Sequence, residues 1–307
     1  MKVIQLEQIN ERLRADPAAF AAEVDDAYQK SVQDIAEDIY AHAEERPFIL
    51  LSGPSGSGKT SSAKILEHYL DLWGCETHTL SMDNYFSPFS EEEKQLVKEG
   101  KIDLEAPARM DIPFLNEQLN EILAGRPVDL PKYDFVESRR VPLGETLTRK
   151  PGEMVLLEGI HALNPDVISL PEDKTNRVYV SVRTRVALGE KLLHPSWLRL
   201  IRRLLRDRRG RARSFTETLE MFDKVQRGEK IYITPYKHRA NYELDTFHAY
   251  ELSAYRLQME EYMDELFSLP RLEDLALFLV SAEPFPEELI PRASLIREFT
   301  GRSEFTD

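Results

Sequence analysis

The chain has 307 residues, 42% of them hydrophobic, enough to bury a sizeable core in one large domain or two unequal ones. Its net charge of -14 and pI near 5.1 disfavour nonspecific binding to nucleic acid or to anionic membranes. The single cysteine, Cys75, excludes an internal disulfide, and no Cys/His spacing suggests a zinc site. The opening MKVIQLEQINERLRADP lacks the apolar core of a signal peptide, and no stretch reaches the ~20 apolar residues of a membrane span. A soluble, cytoplasmic protein is the expectation.

Residues 1–46 read as an N-terminal helical extension. Phe20, Val24, Tyr28, Val32, Ile35 and Ile39 recur at three or four residues and make one apolar stripe. Pro17 starts the longer helix or separates it from a short first one, and Pro47 ends the region. The stripe suits a helix packed on the chain's own main domain, or a face for a second copy or partner.

The pattern then turns α/β and continues as one domain over 47–307. Phe48-Ile49-Leu50-Leu51 is a short apolar run before a glycine-rich turn, as expected for a buried parallel strand. Thr60–Trp73 is helical and stops at Gly74. Thr77–Ser81, Met154–Leu157, Arg177–Val182 and Tyr242–Thr246 are further strands. Asp111 caps a helix running to Gly125, and Ser214-x-x-Glu217 is a capping box opening another toward Arg227. Strands alternating with helices imply a three-layer α/β fold with a parallel central sheet.

Gly53-Pro-Ser-Gly-Ser-Gly58-Lys59-Thr60 fits G-x-x-x-x-G-K-[ST] in full, with a strand before it and a helix after it. The glycines let successive amides turn inward around an anion, and the following helix points its positive end at the same place. Gly53, Ser55, Gly56, Ser57, Gly58, Lys59, Thr60 and Ser61 form the expected phosphate-binding set. Lys59 supplies a charge for the β- and γ-phosphates of ATP, and Thr60 a hydroxyl ligand for Mg²⁺.

No asparagine is followed by lysine, so the guanine-reading signature of regulatory GTPases is absent, as is the Leu-Ser-Gly-Gly of transport ATPases. Asp83 follows the second strand at the sheet edge where ligands of such folds bind. There it can accept the proton of an attacking hydroxyl and assist a metal, or it can simply form an Asx turn before Asn84. Glu158 ends the apolar strand Met154–Leu157, a usual place for a magnesium ligand and also for a solvated strand end. Residues 199–213 carry eight arginines with Leu198, Ile201 and Leu205 at helical spacing. This amphipathic helix reads as a lid that neutralises transferring phosphoryl charge, as a solvated basic face, or as a nucleic-acid patch; the acidic chain and the phosphate loop favour the lid. His161 follows Glu158-Gly-Ile and lies near the site or packs a loop.

These residues resemble the uridine kinase and phosphoribulokinase family of P-loop kinases. The motifs are GPSGSGKT at 53–60, SMDNYF at 81–86, LPKYDF at 130–135, VLLEGIHALNP at 155–165 and RLIRRLLRDRRGR at 199–211. VQRGEKIYITPY at 225–236 and SLIREFTGRSEF at 294–305 look like a bacterial uridine-kinase-like branch. The resemblance implies a P-loop kinase fold with an antiparallel substrate flap at about 128–150 and an arginine-bearing helical lid at about 196–213. It implies Asp83 as catalytic base and Glu158, with Thr60 and Asp83, at the metal. Arg202, Arg206 and Arg211 become the lid arginines that act with Lys59. Asp83, Tyr85, Glu105, Tyr133 and Arg140 become the candidate acceptor contacts. ATP and Mg²⁺ are the implied cofactors, and the partner is a small-molecule acceptor, uridine or cytidine first; a homo-oligomer is open.

Two departures affect the acceptor end. Ser138 stands where uridine–cytidine kinases carry a pyrimidine-reading histidine, and Glu105 replaces the aspartate on the ribose hydroxyls. A polar pocket discriminates through its specific donors and acceptors, so a sugar phosphate, pantothenate or glycerate remains an alternative acceptor. A regulatory module that binds nucleotide without transfer is the alternative of a different class.

Overall fold

The computed structural model describes residues 2–211 and 213–305. Strands β1 (Val3–Gln5), β2 (Phe48–Ser52), β3 (Thr77–Ser81), β4 (Val128–Asp134), β5 (Arg139–Leu147), β6 (Met154–Glu158), β7 (Thr175–Ser181), β8 (Arg185–Leu188), β9 (Lys191–Leu193) and β10 (Tyr242–Asp245) build three sheets. The main one has five strands in the order β10-β7-β2-β6-β3, every pair parallel. β2 lies at its centre and is buried along its whole length.

Side-chain alternation on these strands makes the layers. Ile49, Leu51, Met154, Leu156, Val178 and Val180 face one core, and Phe48, Leu50, Val155, Leu157 and Tyr179 face another. A strand buried on both faces needs a continuous apolar run, and that is why FILL and MVLL carry no polar interruption. The first core is closed by helices α2 (Pro17–Tyr40), α3 (Lys59–Leu72), α6 (Pro195–Arg211) and α7 (Phe215–Gly228), and by the C-terminal helices α8 (Glu251–Arg256), α9 (Met263–Ser268), α10 (Glu273–Ser281) and α11 (Arg297–Thr300). The second is closed by α5 (Ile112–Leu123) and the base of the β4–β5 hairpin, through Leu115, Leu119, Ile122, Val128 and Leu147. Helices α1 (Leu6–Ala15) and α4 (Glu91–Lys98) complete the set.

The N-terminal helices lie on the chain's own body. Asp16 caps α2 by accepting from the Ala19 amide at 3.0 Å, with Pro17 in the first turn. Phe20, Tyr28, Val32 and Ile39 of the stripe are buried, and Val24 and Ile35 pack against the same core. The Tyr28 and Ser62 hydroxyls meet at 2.8 Å, which ties α2 to the helix that follows the phosphate loop. Residues 1–46 are not wholly helical, however. Val3–Gln5 pairs in parallel with β8, which pairs antiparallel with β9. A three-residue strand has no period to read, and its partner lies some 180 residues away. Among the described residues no helix is long and apolar enough to cross a membrane.

The hairpin runs antiparallel with Tyr133 opposite Arg140 and Asp134 opposite Arg139. Its turn is set by Asp134, whose carboxylate accepts the Val136 and Glu137 amides at 2.9 and 3.0 Å, and by Ser138 at φ 52°.

At the opposite edge of the sheet, Glu153 precedes β6. Burial would push its carboxyl up, but the Lys150 amide at 2.8 Å, His78 at 3.2 Å and the Lys150 ammonium at 3.0 Å pull it down to about 2. A depressed carboxyl contributes stability above its unfolded pKa and loses it as pH falls through the folded value. Wild type should therefore exceed Glu153→Gln by on the order of 2 kcal/mol near pH ~5.5, with the gap closing toward pH ~2. Chemical denaturation across that range checks it; a gap that does not change with pH contradicts it.

Candidate active site

Gly53 and Gly58 are among the glycines that the loop between β2 and α3 requires. A Cβ on Gly53 would lie 2.0 Å from the Val180 carbonyl oxygen, so the main chain of β7 closes that approach. Gly58 caps α3 at φ 84°, a left-handed conformation that side chains resist. The Thr246 hydroxyl donates to the Ser57 carbonyl at 2.7 Å and braces the loop from behind. The Ser57 hydroxyl is itself buried without a hydrogen-bond partner among the described residues. A buried orphan hydroxyl in a glycine-rich turn at the start of a helix suits an anionic ligand.

Three charged side chains meet at the mouth of the loop. Lys59 opens α3, Asp83 sits on the one-turn helix Met82–Tyr85 after β3, and Glu158 ends β6. β3 and β6 are neighbours in register, Ser81 opposite Glu158, which brings both acids to the same sheet edge. The Ser81 hydroxyl donates to Glu158 at 2.8 Å. Burial pulls the Lys59 ammonium down, opposed by the charges of Glu158, Asp83 and Glu298. Burial raises the Glu158 carboxyl and Asp83 raises it further, against Lys59 and the Ser81 hydrogen bond. Two acids that destabilise each other's charge beside an exposed Thr60 make a donor set that fits a divalent, oxygen-preferring cation such as Mg²⁺.

Glu105 joins this field. Burial raises its carboxyl, Arg203 and Lys59 lower it, and Asp83 raises it. It packs on Gly228, where a Cβ would lie 2.4 Å from that of Glu105. Tyr133 lies across the hairpin, its amide donating to Asn84 at 3.2 Å and its ring edge-on to Phe86 and Phe135 at 5.7 and 5.1 Å. An aromatic wall beside the Asp83 turn is what a planar or apolar acceptor would need.

Other expected residues lie apart. Tyr85 is 1% exposed and donates to Gln118 at 2.9 Å, so its hydroxyl faces the second core. Arg140 is bound to Asp111 at 2.8 Å and stacks on Phe114 at 4.2 Å, which engages it within the scaffold. His161 is buried, and desolvation pulls its imidazole down to about 4, leaving it neutral.

The arginine helix divides. Leu198, Leu200, Ile201, Leu204 and Leu205 anchor α6 in the first core. Arg202 is fully buried, ion-paired to Glu251 at 2.9 Å, and donates to the Gly56 carbonyl at 3.2 Å and the Thr246 carbonyl at 2.7 Å. Burial would lower its guanidinium, yet Glu251 holds it above the ordinary range. In this structure Arg202 sits behind the loop and braces it, away from the loop mouth. A salt bridge on the sequestered face of a helix gives no local signal that separates it from an exposed one. Arg206 is partly exposed and its charge reaches Lys59. The side chain of Arg211 lies outside the described residues.

Sequence reasoning gave no role to three further groups on the loop. Arg199 donates to the Ser55 carbonyl at 3.2 Å, Arg203 to the Ser55 hydroxyl at 3.0 Å, and Glu298 accepts from Ser61. The arginines belonged to the run already noted. Glu298 lay within SLIREFTGRSEF, a segment noted only for resemblance.

A phosphate loop on the central strand of a parallel α/β sheet, with acids at the neighbouring strand ends, defines a protein of the P-loop kinase class. The chain matches the phosphoribulokinase / uridine kinase family over residues 48–252, and it belongs to that family. A uridine kinase of Schizosaccharomyces pombe is 33% identical over 177 residues, which are 58% of this chain and 35% of the relative. A uridine kinase of Lactobacillus helveticus is 32% identical over 180 residues, 58% of this chain and 76% of the relative. The chain thus matches about a third of the first relative's length and three quarters of the second's. The crystal structure of a candidate fructose transport system kinase from Silicibacter sp. TM1040 superposes on 69% of this chain and 98% of its own with a TM-score of 0.50 at 16% identity, a likeness of fold alone.

Proposed function

We propose that this protein is an ATP- and Mg²⁺-dependent kinase that moves the γ-phosphoryl group onto a hydroxyl of a small molecule, with a nucleoside of the uridine or cytidine type as the first acceptor. The observation that carries the reading is the convergence of Lys59, Asp83 and Glu158 at the loop mouth. A nucleotide-binding site needs one acid for its metal, and a second carboxylate beside the lysine suits proton transfer from an acceptor. The uridine kinases among the relatives support the nucleoside acceptor.

Each side chain then has one task. The loop amides and the Ser57 hydroxyl bind phosphate oxygens, and Lys59 balances the charge of the outer phosphates. Thr60 and Glu158, with Asp83, would hold magnesium, which would supply positive charge to offset that of the phosphates. Asp83 takes the proton of the attacking hydroxyl. Arg206, partly exposed and with its charge reaching Lys59, suits the transferring group's charge. Tyr133 and Glu105 border the acceptor.

Ser138, which stands at the turn of the hairpin, favours a second reading in which the acceptor is another metabolite hydroxyl. ADP release with a panel of nucleosides, sugar phosphates, pantothenate and glycerate separates the two. Acceptor-dependent turnover on uridine or cytidine supports the first. Turnover confined to another compound supports the second, and no stimulation by any acceptor overturns both.

A further inference from the structure

Ser61 follows Thr60 in the first turn of α3. Its amide and hydroxyl are donors at the helix end where a P-loop meets nucleotide phosphate. In this structure one carboxylate oxygen takes both. Glu298 Oε2 accepts from the Ser61 amide at 3.2 Å and from its hydroxyl at 2.7 Å. The same carboxylate contributes to the charge felt by Lys59 and Glu158.

Glu298 is held there by its segment. Leu295 presses on the loop, its Cδ1 2.7 Å from where a Cβ of Gly58 would stand. Leu295, Ile296 and Phe299 are fully buried, and Phe299 lies 5.0 Å under the Arg202 guanidinium that braces Gly56. Arg297 ties the turn to the Glu287 and Ile290 carbonyls at 2.9 and 2.6 Å. A carboxylate resembles a phosphate edge in charge and in accepting charge-assisted hydrogen bonds. Two anions cannot share one pair of donors.

We propose that Glu298 is an internal anion seated in the phosphate subsite at Ser61, so that nucleotide binds only when Glu298 withdraws. The contact is autoinhibitory: it couples occupancy of the loop to the position of residues 294–301. The inference rests on the reading that the loop binds nucleotide. Apparent affinity falls by the fraction of molecules that are competent, so a carboxylate seated about nine-tenths of the time weakens binding about tenfold.

The test is equilibrium binding of Mg·ATP, ADP and adenosine to the full chain as wild type, Glu298→Ala, Glu298→Gln and Lys59→Ala. Glu298→Ala should tighten ATP and ADP by about tenfold and leave adenosine unchanged. Glu298→Gln, which keeps the size and an acceptor oxygen without the charge, should fall between and covers the case in which alanine unsettles the segment. In wild type, ATP should speed amide hydrogen exchange across 294–301. If both Glu298 variants bind ATP no better than wild type while Lys59→Ala loses it, the inference fails and the nucleotide reading stands. Slower exchange across 294–301 on adding ATP also overturns the inference. If no form binds ATP, the nucleotide reading fails and takes the inference with it.

Discussion

Asp83→Asn should lower phosphoryl transfer by about 10²–10⁴-fold while ATP binding stays within about threefold of wild type. The substitution keeps the shape, exchanges one acceptor oxygen for an amide donor, and removes both the charge and the capacity to take a proton. Asp83 also raises the Glu158 carboxyl and supports the charge of Lys59, so its loss changes the field in two opposing ways. That opposition is why binding should change little. Steady-state turnover together with a direct binding measurement reads both quantities. Transfer within about threefold of wild type would place the base elsewhere, and Glu105, coupled to the same field, would be the next group to replace.

The second large effect concerns stability. Arg202→Met should cost about 3–5 kcal/mol, because it leaves the Glu251 carboxylate buried without its cation. This is a large share of the ~5–15 kcal/mol that holds a typical domain. The Gly56 and Thr246 carbonyls lose their donor as well, which loosens the phosphate loop from behind. Replacing both partners, Arg202→Met with Glu251→Leu, should recover much of the stability, since the penalty lies in the orphaned charge. Urea denaturation of wild type and the two variants measures this. A loss below about 1 kcal/mol for the single variant would mean that water reaches the pair and that Arg202 does not brace the loop.

Much of the scaffold was legible because its signals are local. FILL and MVLL announce strands buried on both faces, and the capping box at Ser214 and Glu217 starts α7 where it is written, with Ser214 accepting from the Glu217 amide at 3.3 Å. The phosphate loop was readable as a whole because its glycines answer to backbone geometry and to little else. Asp83 and Glu158 come together because β3 and β6 are adjacent, and the αβ alternation made that arrangement accessible.

What was not legible depends on distant pairs. The β1–β8 strand pair joins residues with no shared periodicity. Arg202 and Arg206 look alike in sequence, yet one pairs with Glu251 in the core and the other stays partly exposed with its charge reaching Lys59. Tyr85 sits in the SMDNYF motif beside Asp83 but turns into the second core, since a one-turn helix sends neighbouring side chains in different directions. Glu298 reaches Ser61 across 237 residues, and only the folded chain brings them together.

The proposed reaction is transfer of a phosphoryl group to an acceptor hydroxyl, as distinct from binding or hydrolysis of ATP. Incubation with γ-labelled ATP, Mg²⁺ and uridine or cytidine, followed by separation of the products, tests it directly. The label should appear on the acceptor and disappear from it in Asp83→Asn. Label found only as inorganic phosphate would exclude transfer to a nucleoside, and transfer unchanged in Asp83→Asn would exclude Asp83 as its base.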